Sequence, residues 1–216
     1  MDSSPLFRPT ISNEETAALP AARFSGEIRI VDTNDGIEAA CNHLHSQPVI
    51  GFDTETRPSF RPGPMNRVAL LQLSAPDCCY LFRLCRIRFD KAIIRLLSSP
   101  DVLKVGADVA NDLRALKQIR HFQEAGFVDL QQHMEPWGIT ERSLRKMSAI
   151  VLGLRVSKAQ RLINWEAVRL TPQQQLYAAT DAWVCTAIYD RLTRASRLST
   201  QTHTDHATTA SPAAPR

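Results

Sequence analysis

GFDTETRP (residues 51–58) is the stretch on which the reading of this chain turns. The apolar run VIGF ends here, and Asp53 and Glu55 follow in alternate positions. Side chains at i and i+2 of a strand point to the same face. Two carboxylates side by side repel, and a core strand rarely carries them unpaired. The arrangement asks for a cation, and the residues that would share it lie elsewhere in the chain.

Around this stretch the pattern alternates between strands and helices. EIRIVDT, VIGFDTET, RVALLQLSA, CCYLFRL, VLKVGAD and FVDL read as strands. GIEAACNHLHSQ, FDKAIIRLLSSP and VANDLRALKQI read as helices. About 130–195 is mostly helical, ending in TPQQQLYAATDAWVCTAIYDRLTRA, where Thr171 suits an N-cap and Pro172 a first turn. Three consecutive strands followed by strand–helix–strand imply an α/β fold, a mixed sheet flanked by helices. Residues 1–25 show no sustained period and read as a flexible arm. Residues 26–195 read as one domain. Residues 196–216 are polar and low in complexity, and read as a disordered tail.

The bulk numbers fit that division. A chain of 216 residues, 44% hydrophobic, suits one ordinary domain burying roughly 70% of its unfolded surface. No apolar run approaches the ~20 residues of a membrane span, so no membrane association is expected. The first twenty residues lack a basic segment followed by an apolar one, so no signal peptide is expected. The 5 cysteines are odd in number and none forms a CxxC pair, which points away from a disulfide framework or a zinc site and toward a reducing cytoplasm. The net charge of +4 permits a polyanionic partner without demanding one.

Further acids stand where the pattern puts helix starts, strand ends or a helix interior: Asp112, Asp129 and Asp181. Tyr177 and Asp181 are four apart and share one helix face. Each piece alone has an ordinary explanation. A D-x-E can be a strand meeting its turn, and Asp112 a first-turn acid favoured by the helix dipole. Asp108 lies four residues before Asp112, and spacing does not separate the two. Asp129 suits a helix cap or a supporting acid better than a ligand. If the acids converge, oxygen donors of this kind suit Mg²⁺ or Mn²⁺. Two such ions about 3.5–4 Å apart can clamp the attacking and leaving oxygens of a phosphodiester. Tyr177 would orient the attacking water, since a phenol pKa of about 10 makes a poor base.

FDTE, KVG-x-x-x-x-x-D-L and LYAATDA, in this order, resemble the three motifs of the DEDD 3′–5′ exonucleases. The tyrosine four residues before the last aspartate marks the DEDDy branch, which includes ribonuclease D and the Werner-type exonuclease domains. The run DTETRPSFRPG is similar to that of small bacterial stand-alone members. The resemblance implies a ribonuclease H-like fold with a central mixed five-stranded sheet flanked by helices. It implies that Asp53, Glu55 and Asp181 bind a first divalent cation, that Asp53 bridges to a second, and that Asp112 holds the second. It implies that Tyr177 orients the nucleophile and that Thr54 brings backbone close to the terminal nucleotide. Expected partners are the 3′ ends of single-stranded DNA or RNA, with release of nucleoside 5′-monophosphates, and a homo-oligomer is compatible with this.

Arg57 and Phe60 follow the acids in a turn that also carries Arg61 and Arg67, a mixture suited to single-stranded backbone and base stacking. A solvated Pro/Gly-rich turn explains the same residues. Lys158 and Arg161 fall where the family places basic residues near the scissile phosphate. Trp165 and Trp183 are expected in the core. Two alternatives stand beside this reading: an oligoribonuclease specialised for very short RNA, and a catalytically silent nucleic-acid-binding module.

Overall fold

The computed structural model describes residues 6–57, 66–159 and 163–207, with side chains as far as residue 196. In chain order the elements are α1 (Asn13–Ala18), β1 (Glu27–Val31), α2 (Ile37–His45), β2 (Val49–Thr56), β3 (Val68–Ser74), β4 (Cys78–Phe82) and α3 (Lys91–Leu97). There follow β5 (Leu103–Gly106), α4 (Val109–Ile119), β6 (Phe127–Asp129), α5 (Leu130–His133), α6 (Leu144–Leu152) and α7 (Pro172–Ala207). No helix among the described residues is long and apolar enough to cross a membrane.

The strands form one mixed sheet in the order β1-β4-β3-β2-β5-β6. β2, β3 and β4 pair antiparallel, while β1 on β4, β5 on β2 and β6 on β5 pair parallel. The sheet therefore has six strands rather than the five that the family resemblance implies. The sixth is β1, which extends the meander because its five residues pair in register with all of β4.

The central strands read as continuous apolar runs because helices cover both faces. In β4 the alternation is plain. Cys78, Tyr80 and Phe82 join the core made with α2, α3 and α4, whereas Cys79 and Leu81 join the one beneath α7. The register between β2 and β3 slips after Glu55, which pairs with Leu70 while Thr56 pairs with Val68. The extra residue, Ala69, is a bulge, and bulges of this kind re-aim side chains where a sheet meets a site.

Two boundary expectations change. Residues 6–25 are packed rather than free. Phe7 lies edge-on to Trp137 with ring centroids 5.6 Å apart, and Phe7, Ile11 and Phe24 are all buried. Ser12 and Glu15 form a capping box at the start of α1. Ala21 bridges to Arg155. At the other end, α7 does not stop at the expected tail boundary but continues to Ala207. Its start follows expectation. The Thr171 hydroxyl accepts from the Gln174 N–H at 3.3 Å, and the Gln174 side chain accepts from the Thr171 N–H at 2.6 Å.

Candidate active site

β2 sends its two faces to different layers. Ile50 and Phe52 enter the core with α2, α3 and α4. Gly51, Asp53 and Glu55 have the opposite parity and face α7. A Cβ on Gly51 would stand 1.9 Å from the Ala182 carbonyl oxygen, so strand and helix backbones touch at this point. The residue before Ala182 is Asp181, and the close approach carries its carboxylate to the strand acids.

Asp53, Glu55 and Asp181 each offer a carboxylate oxygen within 4.8 Å of the others. Asp181 is only 7% exposed, and its Oδ1 has no hydrogen-bond partner. An orphaned buried carboxylate oxygen facing two further carboxylates is costly. A hard divalent cation satisfies such a donor set. The electrostatics agree. Burial, and then the charge of Asp181, raise Asp53 well above the usual carboxylate range. Burial raises Asp181 to about 7, with the Tyr177 hydroxyl acting against it as a hydrogen-bond donor. Burial, followed by the charges of Asp181 and Glu55, raises the Tyr177 phenol. Tyr177 therefore keeps its proton and acts as a donor.

Asp112 lies outside this trio, in the first turn of α4, on the other side of the β2 end. The Thr54 hydroxyl donates to its Oδ1 at 2.6 Å. Burial, then the charge of Asp53, push its carboxyl up to about 8. It thus stands close enough to feel the trio and is fixed by the residue between the two strand acids. For Thr54 the resemblance supplies a backbone role; the structure adds this hydroxyl.

Asp108 and Asp129 lie at helix starts beside Asp112. Asp108 stands at the position before α4 in the left-handed region, with φ 66°, and its carboxylate accepts from Asn111 Nδ2 at 2.8 and 2.7 Å rather than from the helix backbone. Asp129 caps α5 by accepting from the Gln131 N–H at 2.9 Å. It also accepts from the Asp108 and Val109 N–H groups at 3.2 and 3.1 Å, which ties down the helix that bears Asp112.

The expected substrate-binding residues divide. Arg57 is exposed and 3.5 Å from Glu166. Lys158 is exposed, between Ser157 and Ala159. Those two neighbours line a cavity of about 230 Å³ that also reaches Gln173, Tyr177 and Asp181. Phe60, Arg61 and Arg161 lie outside the described residues. A larger hollow of about 820 Å³, between Arg67, Arg86 and Glu166, touches none of Asp53, Glu55, Asp112 and Asp181.

Sequence reasoning does not find three further contributors. Gly51 is one; its only signal is a glycine inside a strand pattern. Thr180 is another. Its buried hydroxyl donates to the Leu176 carbonyl at 2.6 Å and accepts from the Phe24 N–H at 3.2 Å, which joins the N-terminal segment to the helix beside Asp181. The third is Trp165, expected in the core, whose fully buried ring lies 6.0 Å from that of Tyr177.

The mixed sheet with its flanking helices is a fold that solved exonuclease structures share. The exonuclease domain of Nibbler from Aedes aegypti superposes with a TM-score of 0.71 over 79% of this chain and 90% of that one, at 24% identity. Ribonuclease D of Trypanosoma brucei, solved in complex with RNA U12, superposes with a TM-score of 0.70 over 78% of this chain and 63% of that one, at 22% identity. The family model described as a 3′-5′ exonuclease matches residues 28–196, and the chain belongs to that family. Among curated relatives, the bifunctional 3′-5′ exonuclease/ATP-dependent helicase WRN of Mus musculus is 31% identical over 189 residues, covering 81% of this chain. The chain spans 13% of the length of that relative.

Proposed function

We propose that this chain is a divalent-metal-dependent 3′–5′ exonuclease that removes nucleoside 5′-monophosphates from single-stranded 3′ ends. The observation that carries the proposal is the trio of carboxylates from β2 and α7, within 4.8 Å of one another, with one buried oxygen lacking a partner.

Asp53, Glu55 and Asp181 would hold one cation, and Asp53 with Asp112 a second, with Mg²⁺ or Mn²⁺ the ions that suit the donors. Bound there, the ions would supply electrostatic stabilisation of the attacking and leaving oxygens. The water oxygen bonds to phosphorus and the bond from phosphorus to the 3′-oxygen of the penultimate nucleotide breaks. The freed 3′-oxygen takes up a proton, and the attacking water gives one up to solvent. Tyr177, protonated and beside Asp181, would accept the water into line through its hydroxyl. Thr54 holds the Asp112 carboxylate toward the same end of β2. Arg57 and Lys158, both exposed at the rim, would meet the substrate backbone.

The test is hydrolysis of end-labelled RNA and DNA of matched sequence, at several lengths, with Mn²⁺. The wild-type chain should shorten the strands from the 3′ end, and D53N and D181N should each abolish this while remaining folded. Full activity in D53N overturns the assignment. Binding without cleavage by the wild type would show a silent nucleic-acid-binding module, and activity confined to dinucleotides an oligoribonuclease. The RNA bound by the ribonuclease D relative makes RNA the first substrate to try.

A further inference from the structure

Arg83 follows the last residue of β4 and is only 1% exposed. Among the described residues no carboxylate pairs with it. Its Nη2 instead donates to the Ala167 carbonyl at 2.5 Å and to the Trp165 carbonyl at 3.5 Å, and approaches Cys85 Sγ at 3.7 Å. Burying a guanidinium without a counter-charge is costly, and charge-assisted hydrogen bonds of this kind offset the cost. An apolar side chain would fill the space more cheaply. The charge is therefore accounted for by what it holds.

What it holds is the segment just before α7. The Arg83 backbone is itself fixed, its N–H donating to the Val31 carbonyl at 3.0 Å and its carbonyl accepting from Arg86 at 2.8 Å. Among its described residues the segment has little bonding of its own, the Ala167 N–H donating to the Asn164 carbonyl at 3.2 Å and the Glu166 N–H to Asn164 Oδ1 at 3.0 Å. Yet Trp165 places its ring 6.0 Å from that of Tyr177 with an interplanar angle of 34°, and Glu166 meets Arg57 directly after β2. One buried cation thus pins a loop that meets both Tyr177 and the residue after β2.

We propose that Arg83 is a positioning residue for Tyr177: its guanidinium fixes the carbonyls of residues 165 and 167, the Trp165 ring is thereby seated against the Tyr177 ring, and the phenol is held in place. The inference rests on the reading above that Tyr177 orients the attacking water.

The experiment is a double-mutant cycle in the full chain, with R83M and Y177F separately and together, assayed with Mn²⁺ on labelled single-stranded RNA and DNA. R83M should lower kcat about tenfold or more, the scale of loss that follows a small misplacement. KM should stay within about twofold. In the Y177F background R83M should add little, because the residue it positions no longer acts. Equal losses in both backgrounds, or an unchanged kcat, overturn the proposal. The same cycle with R83K, which keeps a cation near the carbonyls, applies the same criterion to a milder change should R83M not fold. Near-UV circular dichroism separates this from the functional reading. If the wild type cleaves nothing, the exonuclease assignment fails, while an aromatic signal that is the same in R83M and wild type still overturns the clamp.

Discussion

At the scale of single residues, the charge on the carboxylates has a consequence for stability that is open to measurement. Asp181 and Asp112 titrate near 7 and 8 in the folded chain, against about 4 in an unfolded one. The folded state therefore holds these protons more tightly. The contribution is fully present below about pH 4 and is lost as pH rises through about 7 to 8, a tenfold difference in proton affinity being worth about 1.4 kcal/mol. Without metal, the melting temperature should fall between about pH 5 and about pH 8.5. The fall should be shallower in D181N, which removes one of the buried charges. Added Mn²⁺ should raise the melting temperature more at the higher pH, because binding displaces protons. A metal-free melting temperature that is flat or rising over this range contradicts the account. The strand acids, Tyr177 and Asp181 were legible in the sequence because alternation and helical spacing fix the face each occupies. The Thr54–Asp112 bond was not, because its partners lie 58 residues apart and meet only through tertiary structure.

At the scale of elements, the close approach of β2 and α7 sets the site. G51A would drive a methyl into the Ala182 carbonyl, where no flexible side chain can give way. Overpacking of this kind costs about 1–3 kcal/mol. More specifically, it must move Asp181 relative to Asp53 and Glu55. Calorimetric titration should therefore show Mn²⁺ affinity weakened about tenfold or more, the size of effect seen when residues that orient metal ligands are changed. Native affinity together with a lowered melting temperature would mean that the contact supports only the fold. The individual strands and helices were readable from periodicity, and the helix start from its Thr171 cap. The order of the strands, and the contact of helix with strand, were not, because backbone contact leaves no mark beyond the missing side chain.

At the scale of the whole molecule, residues 6–25 belong to the folded unit. Composition read them as free because Pro, Ser, Thr and Ala dominate them. Three apolar side chains and a capping box outweigh that average. Deleting residues 1–25 removes Phe7, Ile11 and Phe24 from the core, each worth about 1.5–3 kcal/mol when buried. It also removes the Phe24 N–H from Thr180, one residue from Asp181. The shortened chain should melt at a clearly lower temperature than the full one, and F24A alone should reproduce part of the fall. An equal melting temperature for the shortened and full chains would show the segment to be dispensable. The sixth strand makes the same point, since EIRIVDT was readable as a strand but its place beside β4 was not.

The Phe24–Thr180 bond spans 156 residues and ends beside Asp181, while Asp53 and Glu55 come from early in the same span. In the order in which a ribosome makes it, the chain carries Asp53 and Glu55 well before Asp181 exists to stand opposite them. The cation site comes into being only when α7 has emerged and closed against β2. A fragment that ends before α7 would carry the strand acids without the third carboxylate that completes the trio.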